Sequence, residues 1–242
     1  MNTLIKNLSK PRATVIPLVA AAVITLSACV ADDDPNRRAK LGVGIGAVGG
    51  AVIAKVTGSD NVLLGATLGA LAGGAVGHYQ DRQQAALKVA LEKELRNKQV
   101  DVQRLDNDVL LVRLNSQASF DSGSAEVKPA FHSTLDKIAT ETSTFDKTIL
   151  HVVGYTDSDG TDEFNQRLSV KRADSVADYL NGDGVVLERL RTEGRGETEP
   201  RVPNTSAANK AANRRVEIYI KPIVEGQEQE ALERPFIGGG VG

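Results

Sequence analysis

At 242 residues, with 41% hydrophobic but only 4% aromatic residues, the chain has room for one ordinary domain and something besides. Its 29 basic and 31 acidic residues leave a formal net charge of -2, so no global field draws it to nucleic acid and a polyanionic partner has to be recognised locally. The single cysteine, Cys29, excludes an internal disulfide and any cysteine-based metal cluster; the three histidines, His78, His132 and His151, show no metal-ligand spacing, and no cofactor is expected.

Residues 1–28 read as an export signal. Lys6, Lys10 and Arg12 supply a basic start, Val15 to Leu26 an apolar run, and Leu26-Ser27-Ala28 the small-residue stretch before a cut. The apolar run is shorter than the ~20 residues that span a bilayer. Leu26-Ser27-Ala28-Cys29 resembles the lipobox of bacterial lipoproteins, which implies that Cys29 becomes an acylated mature N-terminus. Several acyl chains, at ~0.8 kcal/mol per buried methylene, would hold such a protein on a membrane. Val30 is not the aspartate associated in those proteins with inner-membrane retention, so the resemblance favours the outer membrane, with the C-terminal part in the periplasm. Residues 29–40 are then the lipidated N-terminus and a short polar spacer.

Residues 41–78 are almost all Gly, Ala, Val, Leu and Ile. Gly44-Ile45-Gly46-Ala47-Val48-Gly49 matches a dinucleotide-binding fingerprint in form only, because no strand precedes it and no acid stands about 20 residues on. The informative pattern is Gly42, Gly46 and Gly50, then Gly65, Gly69, Gly73 and Gly77, at four-residue intervals. On a helix each set forms a smooth ridge that lets another backbone approach closely. The spacing predicts a helical hairpin turning at Thr57 to Asn61, either inserted in a thin outer membrane, lying at its surface, or zipping copies into a homo-oligomer. Glycine costs a helix up to ~1 kcal/mol per residue relative to alanine, so such helices need packing or lipid.

Residues 79–99 are charged and helix-prone and read as a connecting helix. Residues 100–224 read as the globular domain. Val100 to Arg104 and Val109 to Leu114 flank a turn at Asp106-Asn107-Asp108; a helix is expected from Val127 to about Thr142, a strand at Leu190 to Glu193, a helix from Thr205 to Asn213 and a last strand from Arg215 to Lys221. Strands alternating with helices make an α/β fold, an α+β sandwich with helices on one face of a mixed sheet. Residues 225–242 read as a disordered tail.

The richest stretch is His151 to Leu180. It opens as a strand, breaks in turn chemistry at Gly154 to Gly160, and continues as a helix capped by Thr161 or Asp162 and stopped by Asn181, Gly182 and Gly184. At 100° per residue, Asn165, Leu168, Ser169, Arg172, Val176, Tyr179 and Leu180 share one face while Arg167, Lys171, Asp174 and Asp178 lie opposite. Arg172 therefore points inward, where an arginine needs a partner. Asp157 or Asp159 is the nearest candidate. Spacing alone leaves two readings open: an internal salt bridge, or a pocket for a zwitterion in which a carboxylate takes an ammonium and the guanidinium takes a carboxylate.

Gly154, Thr156, Asp157, Gly160, Asn165, Leu168, Ser169, Arg172, Ala173 and Val176, followed by Asn213-Arg214-Arg215-Val216-Glu217-Ile218, resemble the OmpA-like peptidoglycan-binding domain. The glycine-rich segment ahead of it resembles that of YiaD-type lipoproteins. The resemblance implies that Asp157 receives the ammonium and Arg172 the carboxylate of diaminopimelate in the peptidoglycan stem peptide, with Thr156, Asn165, Leu168 and Arg214 lining the pocket. It implies a non-enzymatic outer-membrane lipoprotein that binds peptidoglycan and ties the membrane to the wall. Two alternatives stand beside it: a membrane oligomer built by the glycine helices, and an enzyme acting on peptidoglycan. Against the enzyme, the stretch offers no nucleophile with a base, and Arg172 would depress rather than raise the pKa of a neighbouring acid.

Overall fold

The computed structural model describes residues 69–235. The export signal, Cys29 and the glycine segment up to residue 68 lie outside the described residues, as do residues 236–242.

Five strands are built from the period-2 stretches. They are β1 (Val100–Arg104), β2 (Leu110–Asn115), β3 (Thr148–Tyr155), β4 (Leu190–Gly194) and β5 (Arg215–Pro222), in the order β1-β2-β5-β3-β4. Only β3 and β4 are parallel; every other pair is antiparallel. A parallel pair needs a crossover, and the helix that sequence periodicity places between these strands supplies it. The β1–β2 turn falls at Asp106–Asp108 as expected, with Asn107 and Asp108 at φ of 56° and 61°, a region that Asn and Asp enter more readily than most residues.

Seven α-helices are described: α1 (Val76–Ala90), α2 (Glu92–Arg96), α3 (Ser116–Ser119), α4 (Pro129–Thr144), α5 (Asp162–Gly182), α6 (Ala207–Asn213) and α7 (Glu228–Leu232). Pro129 opens α4, a position where its missing N–H costs nothing. The Thr161 and Ser206 hydroxyls accept the first free amides of α5 and α6, from Phe164 and Asn209. α5 packs against β3 and β4, α4 lies beside α5, and α1 beside α4. Alternate residues of the strands (Val112, Leu114, Leu150, Val152, Val216 and Ile218) meet Leu135, Ile138, Ala173, Val176 and Leu180 of the helices in one core. Leu87 and Leu91 join the same core, so the connecting helix is a structural part of the domain. Among the described residues, no helix is long and apolar enough to cross a membrane.

Two expectations are corrected. The glycine ridge does not continue as a helix through its last members: Gly69 has a φ of 71°, Leu71 bridges to Val224, Gly73–Ala75 is a 3-10 turn, and α1 begins only at Val76. A glycine-rich start costs a helix, whereas Leu71 becomes 1% exposed when its amide and carbonyl pair with Ile223 and Glu225. The stretch after 224, read as a disordered tail, carries α7 instead. Ala231 packs with Ala70, Ile149 and Ile223, and the Ala231 carbonyl accepts from His151 Nε2 at 2.8 Å.

The face of the sheet away from α4 and α5 is also closed. Tyr155, Tyr219, Val153 and Leu111 pack there. Beside them Glu217, 2% exposed, accepts from Arg113 at 2.8 Å, from Arg215 at 2.9 Å and from the Tyr219 hydroxyl at 2.5 Å. Burial alone would raise the Glu217 pKa, but Arg215, the Tyr219 hydroxyl and Arg113 outweigh it and hold the carboxyl below its ordinary value.

Candidate functional site

The parallel strand β3 ends at Tyr155, and the chain turns through Thr156 to Gly160 before α5 starts. That turn sets Asp157 beside the first half of α5. The inward helical face then presents Asn165, Leu168 and Arg172, of which Asn165 and Arg172 are separated by seven residues, or about two turns. From the other side, α6 ends at Asn213 and β5 starts at Arg215, leaving Arg214 at the junction. The loop after α3 closes the third side.

These pieces enclose a cleft of about 600 Å³. All six residues nominated from the sequence, Thr156, Asp157, Asn165, Leu168, Arg172 and Arg214, line it. Phe120, Gly123 and Phe164 line it as well and were not nominated, because they arrive from the α3–α4 loop and the helix start without a spaced signal of their own.

The pairing within the cleft differs from the sequence expectation. Neither Asp157 nor Asp159 bonds to Arg172. Asp157 pairs with Arg214, and its second oxygen accepts from the Asp159 amide at 3.1 Å. Asp159 pairs with Lys210 of α6 at 2.6 Å. The β5 side thus delivers two cations that sequence distance hid, and they take the two carboxylates. Arg172 is held differently: its Nε donates to the Ser124 carbonyl at 2.9 Å, and its guanidinium carbon stands 5.1 Å from the Phe120 ring centroid.

Arg172 is only 3% exposed, and among the described residues its two terminal nitrogens have no hydrogen-bond partner. Burial, then repulsion from Arg214, lowers its pKa from the ordinary arginine value, while Asp157 acts in the opposite direction. Two guanidiniums therefore face one carboxylate. Asn165 braces the turn by donating to the Asp157 carbonyl at 3.2 Å and to Glu197 at 2.6 Å. The Ser116 and Thr156 hydroxyls, both buried at the cleft wall, have no hydrogen-bond partner among the described residues.

The arrangement can bind a small group carrying both charges. Arg172 offers an anion two parallel donors. Asp157 retains acceptor sites, since a carboxylate has about four and two are used here. Among the described residues no group of three or more His, Cys, Asp and Glu is placed to hold a metal ion.

Two family models match the chain, the OmpA family over residues 119–214 and the YMGG-like Gly-zipper over residues 9–81. The chain is 37% identical over 223 residues to the protein named Probable lipoprotein YiaD of Escherichia coli (strain K12), covering 88% of this chain and 100% of that protein. It is 39% identical over 109 residues to outer membrane protein A of Bordetella avium, which covers 45% of this chain and 56% of that protein. The fold is shared with the cell wall anchor of the T6SS from Pseudomonas aeruginosa, at a TM-score of 0.52 and 32% identity over 56% of this chain and 96% of that one. It is shared also with a MotB-like protein from Desulfovibrio vulgaris, at a TM-score of 0.55 and 24% identity over 61% of this chain and 93% of that one. Similarity over the full length of that lipoprotein, together with the OmpA match that follows the glycine-zipper match along this chain, places the chain in the OmpA family, with the YiaD-like lipoproteins.

Proposed function

We propose that this protein binds peptidoglycan noncovalently through diaminopimelate of the stem peptide and, anchored by acyl chains on Cys29, ties the outer membrane to the wall. One observation carries the reading: a buried arginine whose terminal nitrogens have no partner among the described residues, beside an aspartate that already has a cation of its own. Around Asp157 two guanidiniums, Arg172 and Arg214, share one carboxylate, which leaves Arg172 for a ligand carboxylate, and a ligand ammonium settles against the remaining acceptor sites of Asp157. A ligand lacking the carboxylate leaves Arg172 desolvated without a partner, which costs roughly 1 to 3 kcal/mol. The cell wall anchor with the same fold lends support by its name. The relatives are named as lipoproteins and outer membrane proteins, and the reading is accordingly a binding protein rather than an enzyme.

Affinity at one site need not be high, because many copies on one membrane facing one polymer gain from effective concentration. Co-sedimentation of the full-length protein with purified sacculi tests the binding: Asp157→Ala and Arg172→Gln, each checked for retained circular dichroism, are expected to remain in the supernatant where wild type pellets. Wild-type protein that stays in the supernatant contradicts the reading. Mass spectrometry of the mature N-terminus tests the anchor, with acylated Cys29 expected and an unmodified thiol contradicting it.

A further inference from the structure

Beyond the cleft just described, a second hollow of about 450 Å³ opens on the other side of Arg214, which lines both. The ridge between the two is thin. It is the end of the β2–β5 ladder, where the Ser116 amide donates to the Arg214 carbonyl at 3.2 Å, and the neighbouring Asn115 already faces the second hollow.

The chemistry of this hollow is lopsided. Five cationic residues line it, Lys98, Arg113, Arg201, Arg214 and Arg215, against one lining carboxylate, Asp101. Most of these charges are spoken for: Arg113 reaches Asp101 and Glu217, each at 2.8 Å, and Arg215 reaches Glu217 at 2.9 Å. Lys98 and Arg201 are both without an ion pair among the described residues, and of the two Arg201 is the one that can offer a carboxylate two parallel donors. It stands exposed at the rim and, among the described residues, has no hydrogen-bond or ion-pair partner. Partial desolvation, then the adjacent Arg113, lowers its pKa from the ordinary arginine value, with Arg215 adding to the same effect. The floor is small and apolar, from Ala208, Ala211 and Ala212 around α6. A shallow basic hollow with an alanine floor suits a carboxylate on a short backbone and offers little to a large apolar or aromatic group.

We propose that this hollow is a second subsite for the same polymer, in which Arg201 takes the carboxylate of the acidic residue next to the diaminopimelate in the stem peptide. The inference rests on the wall-binding reading above and deepens it. The glutamyl residue is joined to diaminopimelate through its γ-carboxyl, so its α-carboxyl stays free for a second cation, and Arg214 is a wall common to both hollows. Arg214 then works on both sides, pairing with Asp157 in the first cleft and walling the second. One guanidinium per carboxylate would make the protein read two adjacent acidic residues rather than one isolated amino acid.

Isothermal titration calorimetry of the full-length protein, compared with Arg201→Gln, tests this with three probes: free diaminopimelate, the stem tripeptide L-Ala–D-Glu–diaminopimelate, and the same tripeptide with its glutamyl α-carboxyl amidated. The expected result is that wild type binds the tripeptide more tightly than the amidated form by about three- to five-fold, as for a partly exposed ion pair, and that Arg201→Gln removes that difference while leaving free diaminopimelate unchanged. Charge reversal, Arg201→Glu, is expected to invert the preference. Equal tripeptide binding by wild type and Arg201→Gln overturns the proposal. So does an equal loss on all three probes, which would mean that Arg201 acts only through the general field, or inorganic phosphate competing as well as the tripeptide does, which would mean an unspecific anion site. Failure of the wall-binding reading itself looks different: wild type would then bind none of the three probes.

Discussion

Arg172 shows how far a single residue's chemistry is set by what surrounds it. Its inward direction follows from helical spacing, but its partners come from loops. The Ser124 carbonyl and the Phe120 ring fix the guanidinium at one edge, and the two terminal nitrogens have no hydrogen-bond partner among the described residues. His151 makes a second argument at this scale. Burial, with smaller contributions from Lys221, Arg191 and Arg195, pushes its pKa down to about 4 from 6.5, against the opposing pull of the Ala231 carbonyl. Between those values the unfolded chain binds a proton that the folded chain refuses. Stability contributed by neutral His151 is therefore full above 6.5 and lost as pH falls towards about 4, on the order of 3 kcal/mol in total. Urea unfolding of wild type and His151→Gln at pH 7 and 5 checks this; the variant is expected to lose much less stability than wild type, and parallel losses would contradict the assignment. Working at pH 5 keeps Glu217, whose depressed pKa makes its own contribution fall only as pH drops below 4.5, out of the comparison.

At the scale of elements, the site depends on α5 lying close on β3 and β4. Two glycines permit it. A Cβ on Gly154 would stand 2.1 Å from the Ser169 carbonyl oxygen, and one on Gly194 would stand 2.4 Å from the Val170 amide nitrogen. Both neighbours are backbone, so the helix itself would have to move. Gly154→Ala is expected to lower unfolding stability by about 3 kcal/mol, measured by denaturant titration, and a loss below about 0.5 kcal/mol would mean the helix can lift without penalty. The elements with strong patterns were legible for particular reasons: β5 alternates Val216, Ile218 and Ile220 with polar residues, β3 is a β-prone run ended by turn chemistry, and α5 keeps Leu168, Val176 and Leu180 on one face. The four-residue α3 and five-residue α7 were not, since neither is long enough to show a period, and α7 is stabilised through Ala231 and the His151 contact rather than by its own pattern. The glycine spacing misled at Gly69 and Gly73 because a repeat permits a helix without requiring one. Within the cleft, six lining residues were readable from spaced identities, whereas the Asp157–Arg214 and Asp159–Lys210 pairs join residues 57 and 51 positions apart and became visible only once β5 lay beside β3. Strand alternation likewise put Glu217 on the face away from the main helices but could not show that this face is closed by its own ionic cluster.

At the scale of the whole molecule, the chain combines a compact α/β domain with an N-terminal segment that matches a glycine zipper, and its similarity to a lipoprotein relative runs over 88% of the chain. The tether reading assigns the two parts to two surfaces, membrane and wall. Its central claim is recognition of a zwitterion by Asp157 and Arg172. Removal of Cys29 acylation by Cys29→Ser is expected to release the protein from the membrane fraction while leaving its binding to isolated sacculi intact, which fractionation reads directly. A combined loss of both would show that the two parts do not act separately.

The most direct test of the central claim is calorimetric titration of the full-length protein with two stem tripeptides that differ only in their third residue, diaminopimelate in one and lysine in the other. Lysine keeps the ammonium and lacks the distal carboxylate. Wild type is expected to favour the diaminopimelate peptide by about 10- to 100-fold, the cost of leaving a desolvated guanidinium unpaired, and Arg172→Gln is expected to lose that preference. Equal binding of the two peptides by wild type would contradict the account, because the unpartnered nitrogens of Arg172 would then have no part in recognising the wall.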